Sequence, residues 1–279
     1  MIWRTARRTF DLADGGIIMG IVNVTPDSFS DGGSFAKVED AVRHGLRLAE
    51  EGAAILDIGG ESTRPGAAPV EAAEEIRRVV PVIEKLARGT HVALSIDTSK
   101  AAVARAAIGA GAEIVNDVTA LLGDEGMASV VAEHKAGVVL MHMQGTPRTM
   151  QNAPHYDDVA REVLGFLGSR IEAALDAGIP SENIAVDPGI GFGKTAEHNL
   201  QLIAAMESFA ALGRPVLLGA SRKSFLAAAA GCTDTNDRDI PTAALTALGR
   251  ERGAHIFRVH AVRPNLQALR LAEALSSAR

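Results

Sequence analysis

Short apolar runs alternate with longer amphipathic, alanine-rich segments along the whole chain, and the pair recurs in a fixed order. The apolar runs predict eight strands, over 17–24, 53–58, 91–97, 113–118, 137–143, 183–187, 215–219 and 255–260. The amphipathic segments predict helices over 38–51, 71–88, 100–110, 125–135, 157–177, 197–210, 222–230 with a further one at 242–252, and 265–275. Several helices run into a small-residue turn, at Gly52, at Gly111 and at 135–137 with Gly137, where glycine suits a left-handed cap ahead of the next strand. Strand, helix, turn, strand is the order of a parallel sheet. Eight such units in roughly 260 residues fit an α/β fold of the closed (β/α)8 kind, the TIM barrel, as a single domain spanning 1–279 with its core at about 15–275. The alternative is an open doubly wound sheet, which more often carries a Gly-rich fingerprint after its first strand; no G-x-G-x-x-G follows Val24.

Composition sharpens this reading. Hydrophobic residues make up 47% and aromatic ones only 4%, so the core is built from Ala, Val, Ile and Leu, which suits helices laid on a parallel sheet. A formal net charge of -6 lacks the basic excess of a nucleic-acid binder, although local cations can still grip an anionic metabolite. The single cysteine, Cys232, excludes an internal disulfide and has no histidine close by in sequence to activate it. No run of about 18 apolar residues and no signal-like N-terminus occurs, so the expectation is a cytoplasmic protein without a membrane partner.

The informative breaks in the apolar pattern are polar residues at strand ends: Asn23, Asp57, Asp97, Asn116, Asp117, His142, Asp187 and His260. Buried without partners, each would cost ~1–3 kcal/mol. A barrel gathers those ends on one face, where barrel enzymes bind their ligands. Any one of these residues could instead cap the helix that follows it, but their recurrence on most of the strands speaks for a shared site. Asp57 and Asp117 are the weakest members, since strand alternation sets each out of phase with a better candidate, Asp117 being the neighbour of Asn116.

Two strand-to-helix connections, 25–35 and 59–66, exceed the usual ~2–6 residues and are candidate lids; the first carries Phe29, the second Thr63, Arg64 and Pro65. The stretch 187–195, ending Gly193-Lys194-Thr195, imitates a P-loop, yet that motif needs glycine where the chain has Pro188. What remains is a Gly-rich turn that brings backbone close to a ligand, with Phe192 either stacking on it or plugging the core. After the seventh strand, Gly219-Ala220-Ser221-Arg222-Lys223-Ser224 opens a helix with two cations, and Arg258 and His260, two apart on the last strand, point the same way. Barrels commonly bind phosphate here. The plainer alternative has Arg222 or Lys223 neutralising Asp234 or Asp237. No zinc-ligand spacing, H-E-x-x-H or G-x-S-x-G appears; a Mg2+ ion held loosely by Asn23 and by a substrate's phosphate oxygens is the metal these residues allow.

These same stretches, 19–33, 57–66, 95–98, 116–117, 140–145, 187–194, 221–224 and 258–260, closely resemble the dihydropteroate synthases of the bacterial folate pathway, with every motif in order from about 15 to 270. The resemblance implies a pterin-binding TIM barrel that condenses 6-hydroxymethyl-7,8-dihydropterin diphosphate with 4-aminobenzoate, works with Mg2+ and forms a homodimer. It implies further that Asp97, Asn116, Met141, Asp187, Gly219 and Lys223 hold the pterin, and that Asn23, Arg64, Arg258 and His260 form the pyrophosphate end, with Asn23 on the metal. Phe29, Thr63, Pro65, Phe192 and Ser221 would surround the aminobenzoate, and Asn23, Thr63, Arg64, Lys223, Arg258 and His260 would carry the catalysis.

Three departures from the family pattern stand beside these residues: Ala261 where an Asp usually follows Arg-Val-His, the small Ala220, and Arg238-Asp239-Ile240-Pro241-Thr242 in place of the more frequent Arg-x-x-Gly-Ser. A pterin-binding methyltransferase on the same barrel should lack Ser62-Thr63-Arg64-Pro65 and Arg258-Val259-His260, both present here. A Schiff-base aldolase built on Lys223 fits less well beside Arg222, and a non-catalytic pterin binder should have lost Asn23, Arg64 or His260.

Overall fold

Eight parallel strands follow one another round a ring, each delivered to the next by helix on the outside. The computed structural model describes residues 1–13, 15–24, 34–64 and 66–278. After a short antiparallel hairpin, β1 (Ile2–Arg4) and β2 (Thr9–Asp11), the elements are β3 (Ile17–Asn23), α1 (Ser34–Glu50), β4 (Ile55–Gly59), α2 (Ala72–Gly89), β5 (Ala93–Asp97), α3 (Ala101–Ala110), β6 (Ile114–Asp117), α4 (Met127–His134) and β7 (Gly137–Met141). They continue through α5 (Val159–Asp176), β8 (Ile184–Asp187), α6 (Ala196–Ala204), α7 (Met206–Ala210), β9 (Leu217–Leu218), α8 (Phe225–Ala230), α9 (Asp239–Glu251), β10 (Ile256–Val259) and α10 (Val262–Ser277). The strand order is β8-β7-β6-β5-β4-β3-β10-β9, and the parallel bridge Val186↔Val216 joins the two ends of that order. This is the closed (β/α)8 barrel expected from the chain's periodicity, with every predicted strand in place.

The strands read as continuous apolar runs because both faces of their first halves are buried. Outward, Ile18, Val22, Leu56, Ile58, Leu94, Ile96, Val115, Val138, Val186, Phe257 and Val259 pack with the helices in one large core. Inward, one residue from each strand forms a dry floor: Met19, Ile55, Ala93, Ile114, Val139, Ala185, Leu217 and Ile256. Two residues further along every strand, side chains return to the inside. There the chain places Ile21, Asp57, Ser95, Asn116, Met141, Asp187, Gly219 and Arg258, so on most strands the barrel changes from apolar floor to polar bowl within one repeat of the pleat.

The N-terminal hairpin lies outside the core expected from sequence, yet it closes the bottom of the barrel. Trp3 and Leu12 join the floor cluster, both fully buried, and Trp3 Nε1 donates to the carbonyl of Asn183 at 3.0 Å. Trp3→Ala should therefore open a cavity under the floor and lower stability by about 3–5 kcal/mol, read as a fall in the urea midpoint.

Local details correct the reading of three segments. Gly52 and Gly111 hold the left-handed positions expected of them (φ 103° and 131°), but the third turn uses Lys135 (φ 50°), while Gly137 begins β7. A side chain at Gly137 would meet Thr5 Cγ2 at 3.2 Å and the Arg4 carbonyl at 3.3 Å, so this glycine admits the hairpin rather than capping the helix. The helix expected over 197–210 divides at Ala205 into α6 and α7, and the one expected from 222 starts only at Phe225. Among the described residues no helix is long and apolar enough to cross a membrane.

Candidate active site

At the rim of the bowl the acidic residues share one cation. Asp57 Oδ2 accepts from Arg258 Nε at 2.6 Å and from Asn116 Nδ2 at 3.0 Å, while Arg258 Nη2 reaches Asp97 Oδ2 at 2.6 Å. Asp57 therefore belongs to the centre of the site, against its expected weak standing: counting from Ile55 on the floor, alternation turns Asp57 inward. Asp117, by contrast, does point away, accepting from the amides of Thr119 and Leu121 and from Thr119 Oγ1, so it organises its own loop. Asp57 Oδ1 and Asp97 Oδ1 are buried with no hydrogen-bond partner among the described residues. Two acceptors kept dry and unpaired in a bowl are suited to a ligand rich in N–H donors. Burial pushes the Asp97 carboxyl up to about 7, Arg258 opposing the rise and Asp57 adding to it. Burial would lower the Arg258 guanidinium, but Asp57 and Asp97 outweigh it and hold the group charged.

Opposite this cluster, Asp187 accepts from the Gly189 amide at 2.7 Å through Oδ1, while Oδ2 faces the bare backbone of Gly219, where an added Cβ would stand 3.5 Å away. Burial raises the Asp187 carboxyl, with Lys223 as the main charge opposing it. Lys223 Nζ donates to the Ile190 carbonyl and lies 4.3 Å from the centre of the Phe192 ring; burial lowers its ammonium to about 8. The glycines between them are there for close approach: at Gly189 (φ 71°) a Cβ would collide with the His142 carbonyl oxygen, and at Gly191 (φ 82°) it would press on Lys223 Cδ at 2.8 Å.

The P-loop likeness ends where expected. Thr195 caps α6 in a reciprocal pair with His198, and Lys194 turns inward, donating to Phe192 O at 2.9 Å and lying 2.9 Å from His142 Nδ1. Burial lowers Lys194 to about 7. Sequence reasoning missed this lysine, which latches the Gly-rich turn to the end of β7. The same bond takes His142 out of the bowl: next to the inward Met141 it must face outward, where its ring meets Phe166 edge-on at 4.8 Å.

The third part of the rim is suited to an anion. His260 N donates to Ser221 Oγ at 3.2 Å, and Ser221 Oγ lies 3.0 Å from His260 Nδ1. Burial, and then the charges of Arg258, Arg222 and Arg64, push His260 down to about 3, so it stands as a neutral imidazole. Arg64 is exposed at the mouth, Thr63 is half-buried beside it, and Asn23 Oδ1 lies by Gly59 at the end of β3. The expected pair of cations after β9 resolves into one. Arg222 is held bidentately by Asp239, at 2.7 and 2.8 Å, rather than by Asp234 or Asp237, which leaves Lys223 as the member of that pair in the bowl. Phe29 and Pro65 lie outside the described residues.

The bowl thus offers unpaired carboxylate oxygens and an ammonium at one end, and a neutral histidine, a serine and cations at the other. The chain matches the family model described as pterin binding enzyme over residues 19–260. It is 45% identical over 262 residues to the dihydropteroate synthase of Escherichia coli K12, covering 94% of this chain and 92% of that one. Among solved structures it is similar to Xanthomonas albilineans dihydropteroate synthase with 4-aminobenzoic acid (49% identity, 99% of this chain and 98% of that one, TM-score 0.93). It is similar also to the same organism's enzyme in complex with 7,8-dihydropteroate (46% identity, 99% of both chains, TM-score 0.90). With its barrel, its donor-seeking bowl and these relatives, the chain belongs to the pterin binding enzyme family, among the dihydropteroate synthases.

Proposed function

We propose that the bowl joins 6-hydroxymethyl-7,8-dihydropterin diphosphate to 4-aminobenzoate, the condensation that gives 7,8-dihydropteroate and pyrophosphate, with the residues dividing the work as follows. The observation that carries this reading is the pair of buried, unpaired carboxylate oxygens, Asp57 Oδ1 and Asp97 Oδ1 on the neighbouring strands β4 and β5, held beside the Arg258 guanidinium in the bowl. Asp187, Asn116 and Asp97 face the N–H donors of the pterin ring, Lys223 faces its carbonyl, and Met141 and Gly219 leave a flat slot for it. Arg258, Arg64 and the neutral His260 receive the diphosphate. The bond from the pterin methylene to the diphosphate oxygen breaks with its electron pair leaving on pyrophosphate, and the aniline nitrogen supplies the pair for the new C–N bond and then loses its proton. Charge builds on the leaving oxygens, so preorganised cations there, rather than a protein nucleophile, lower the barrier. Phe29, Thr63, Pro65, Phe192 and Ser221 would border the aminobenzoate.

The donor set also fits a magnesium ion brought in with its substrate. Among the described residues no group of three or more His, Cys, Asp or Glu is placed to cage a metal, and Asn23 offers a single amide oxygen at the pyrophosphate end. Mg2+ is commonly held by few protein ligands plus phosphate oxygens. When bound, it would neutralise charge on the departing pyrophosphate. A homodimer fits the exposed Ile240 and Leu248 on α9 and Leu271 and Leu275 on the adjoining α10, apolar surface that a second copy would cover. A cytoplasmic location fits the lone cysteine.

The test is pyrophosphate release by the purified protein with Mg2+ and the pterin diphosphate. Release that requires 4-aminobenzoate is the expected result; pterin binding with no release at any aminobenzoate concentration would reject the assignment.

A further inference from the structure

Between two residues assigned to the substrates, Ser221 and Lys223, stands a residue in a conformation that side chains rarely adopt. Arg222 has φ 58°, a left-handed backbone in a non-glycine residue. For such a residue the strain amounts to about 5- to 30-fold in population against the ordinary conformations. It is held by one short stretch of chain. Asp239 grips its guanidinium with two parallel bonds of 2.7 and 2.8 Å, Thr242 Oγ1 accepts from its amide at 3.2 Å, and Arg238 Nη1 donates to its carbonyl at 3.0 Å. Ser221, on one side, is bonded to His260; Lys223, on the other, is stacked by Phe192. The clamp comes from 238–242, where Arg-Asp-Ile-Pro-Thr stands in place of the more frequent Arg-x-x-Gly-Ser, and it uses Asp239, at a position which that pattern leaves open.

We propose that Asp239 is a positioning residue for the condensation: through Arg222 it holds the left-handed turn that presents Ser221 and Lys223 to the substrates. The inference rests on the placement of those two residues proposed above. Arg222 in this role is a tether and not an anion ligand. Releasing the turn leaves a smaller fraction of molecules with both side chains in place, and a binding-competent state that is only partly populated raises the apparent dissociation constant by that fraction.

The experiment measures pyrophosphate release for wild type, Asp239→Ala, Arg222→Gly and the Asp239→Ala/Arg222→Gly double variant, with thermal unfolding of each. In Asp239→Ala the KM values for aminobenzoate and pterin diphosphate are expected to rise roughly tenfold while kcat stays within about twofold. The double variant should recover most of that loss, because glycine adopts the left-handed conformation without strain and needs no clamp. Unchanged KM values in Asp239→Ala, or a fall confined to kcat that tracks a lower unfolding temperature, would overturn the proposal. So would a double variant weaker than Asp239→Ala, which would make Arg222 itself an anion ligand. An inactive wild type would instead reject the underlying assignment of the site.

Discussion

Asp187→Asn is expected to lower kcat/KM for pyrophosphate release by roughly 10²- to 10³-fold, the order seen when one partner of a buried, charged hydrogen-bond pair is removed. The carboxylate has one oxygen on the Gly189 amide and the other over the open backbone of Gly219. An asparagine of the same shape keeps one acceptor and turns an N–H2 toward ring donors, replacing attraction by an unpaired donor. It also removes the counter-charge of Lys223, whose ammonium burial already lowers to about 8. The measurement is pterin binding by calorimetry beside the rate assay, and a variant that binds pterin as tightly as wild type would exclude Asp187 from the ring edge. pH gives an independent check. Burial raises the Asp187 carboxyl, so binding through its ionised form should begin to weaken on acidification above the usual carboxylate range. The asparagine variant should lack that dependence.

What the sequence revealed and what it hid follow from the same pleat. Inward and outward faces of the lower barrel are both apolar, so the eight strands stood out as runs; the cost of that uniformity was phase. Asp57 and His142 were misjudged because, in a run buried on both sides, no polar alternation marks which residue faces in, and only the floor layer of Ile55 and Val139 settles it. Asn116 and Asp187 were legible because a polar residue at the end of such a run has few other reasons to be there. The hairpin was invisible for a different reason: strands of three residues, β1 and β2, carry no period, and the burial of Trp3 depends on meeting the floor of a barrel it does not belong to. The Arg222 clamp joins positions 17 residues apart through a backbone conformation that composition does not encode. Lys194 was read only for its place in a motif, since nothing in its neighbours along the chain announces the buried bond to His142.

Arg258→Met should be nearly as damaging to activity as Asp187→Asn, but with a different signature, because it acts on the stability of the empty bowl. The guanidinium bonds both Asp57 and Asp97, which are 0% and 8% exposed, and methionine replaces most of its volume with nothing to pair them. Stranding buried charges in this way costs about 3–5 kcal/mol. The loss should grow with pH. Asp97 is already raised to about 7 by burial, with Arg258 the main charge opposing the rise. Without the arginine its folded-state pKa moves further above the unfolded value of about 3.9. A carboxyl raised on folding favours the folded state when protonated, and that contribution is lost as pH climbs through the folded pKa. The deficit of Arg258→Met in urea midpoint should therefore be larger at pH 8 than at pH 5. Adding Asp97→Asn should remove most of the pH dependence, since an amide needs no counter-ion. A deficit of equal size at both pH values would mean that the arginine contributes packing alone, and that the two carboxylates find their compensation elsewhere in the bowl.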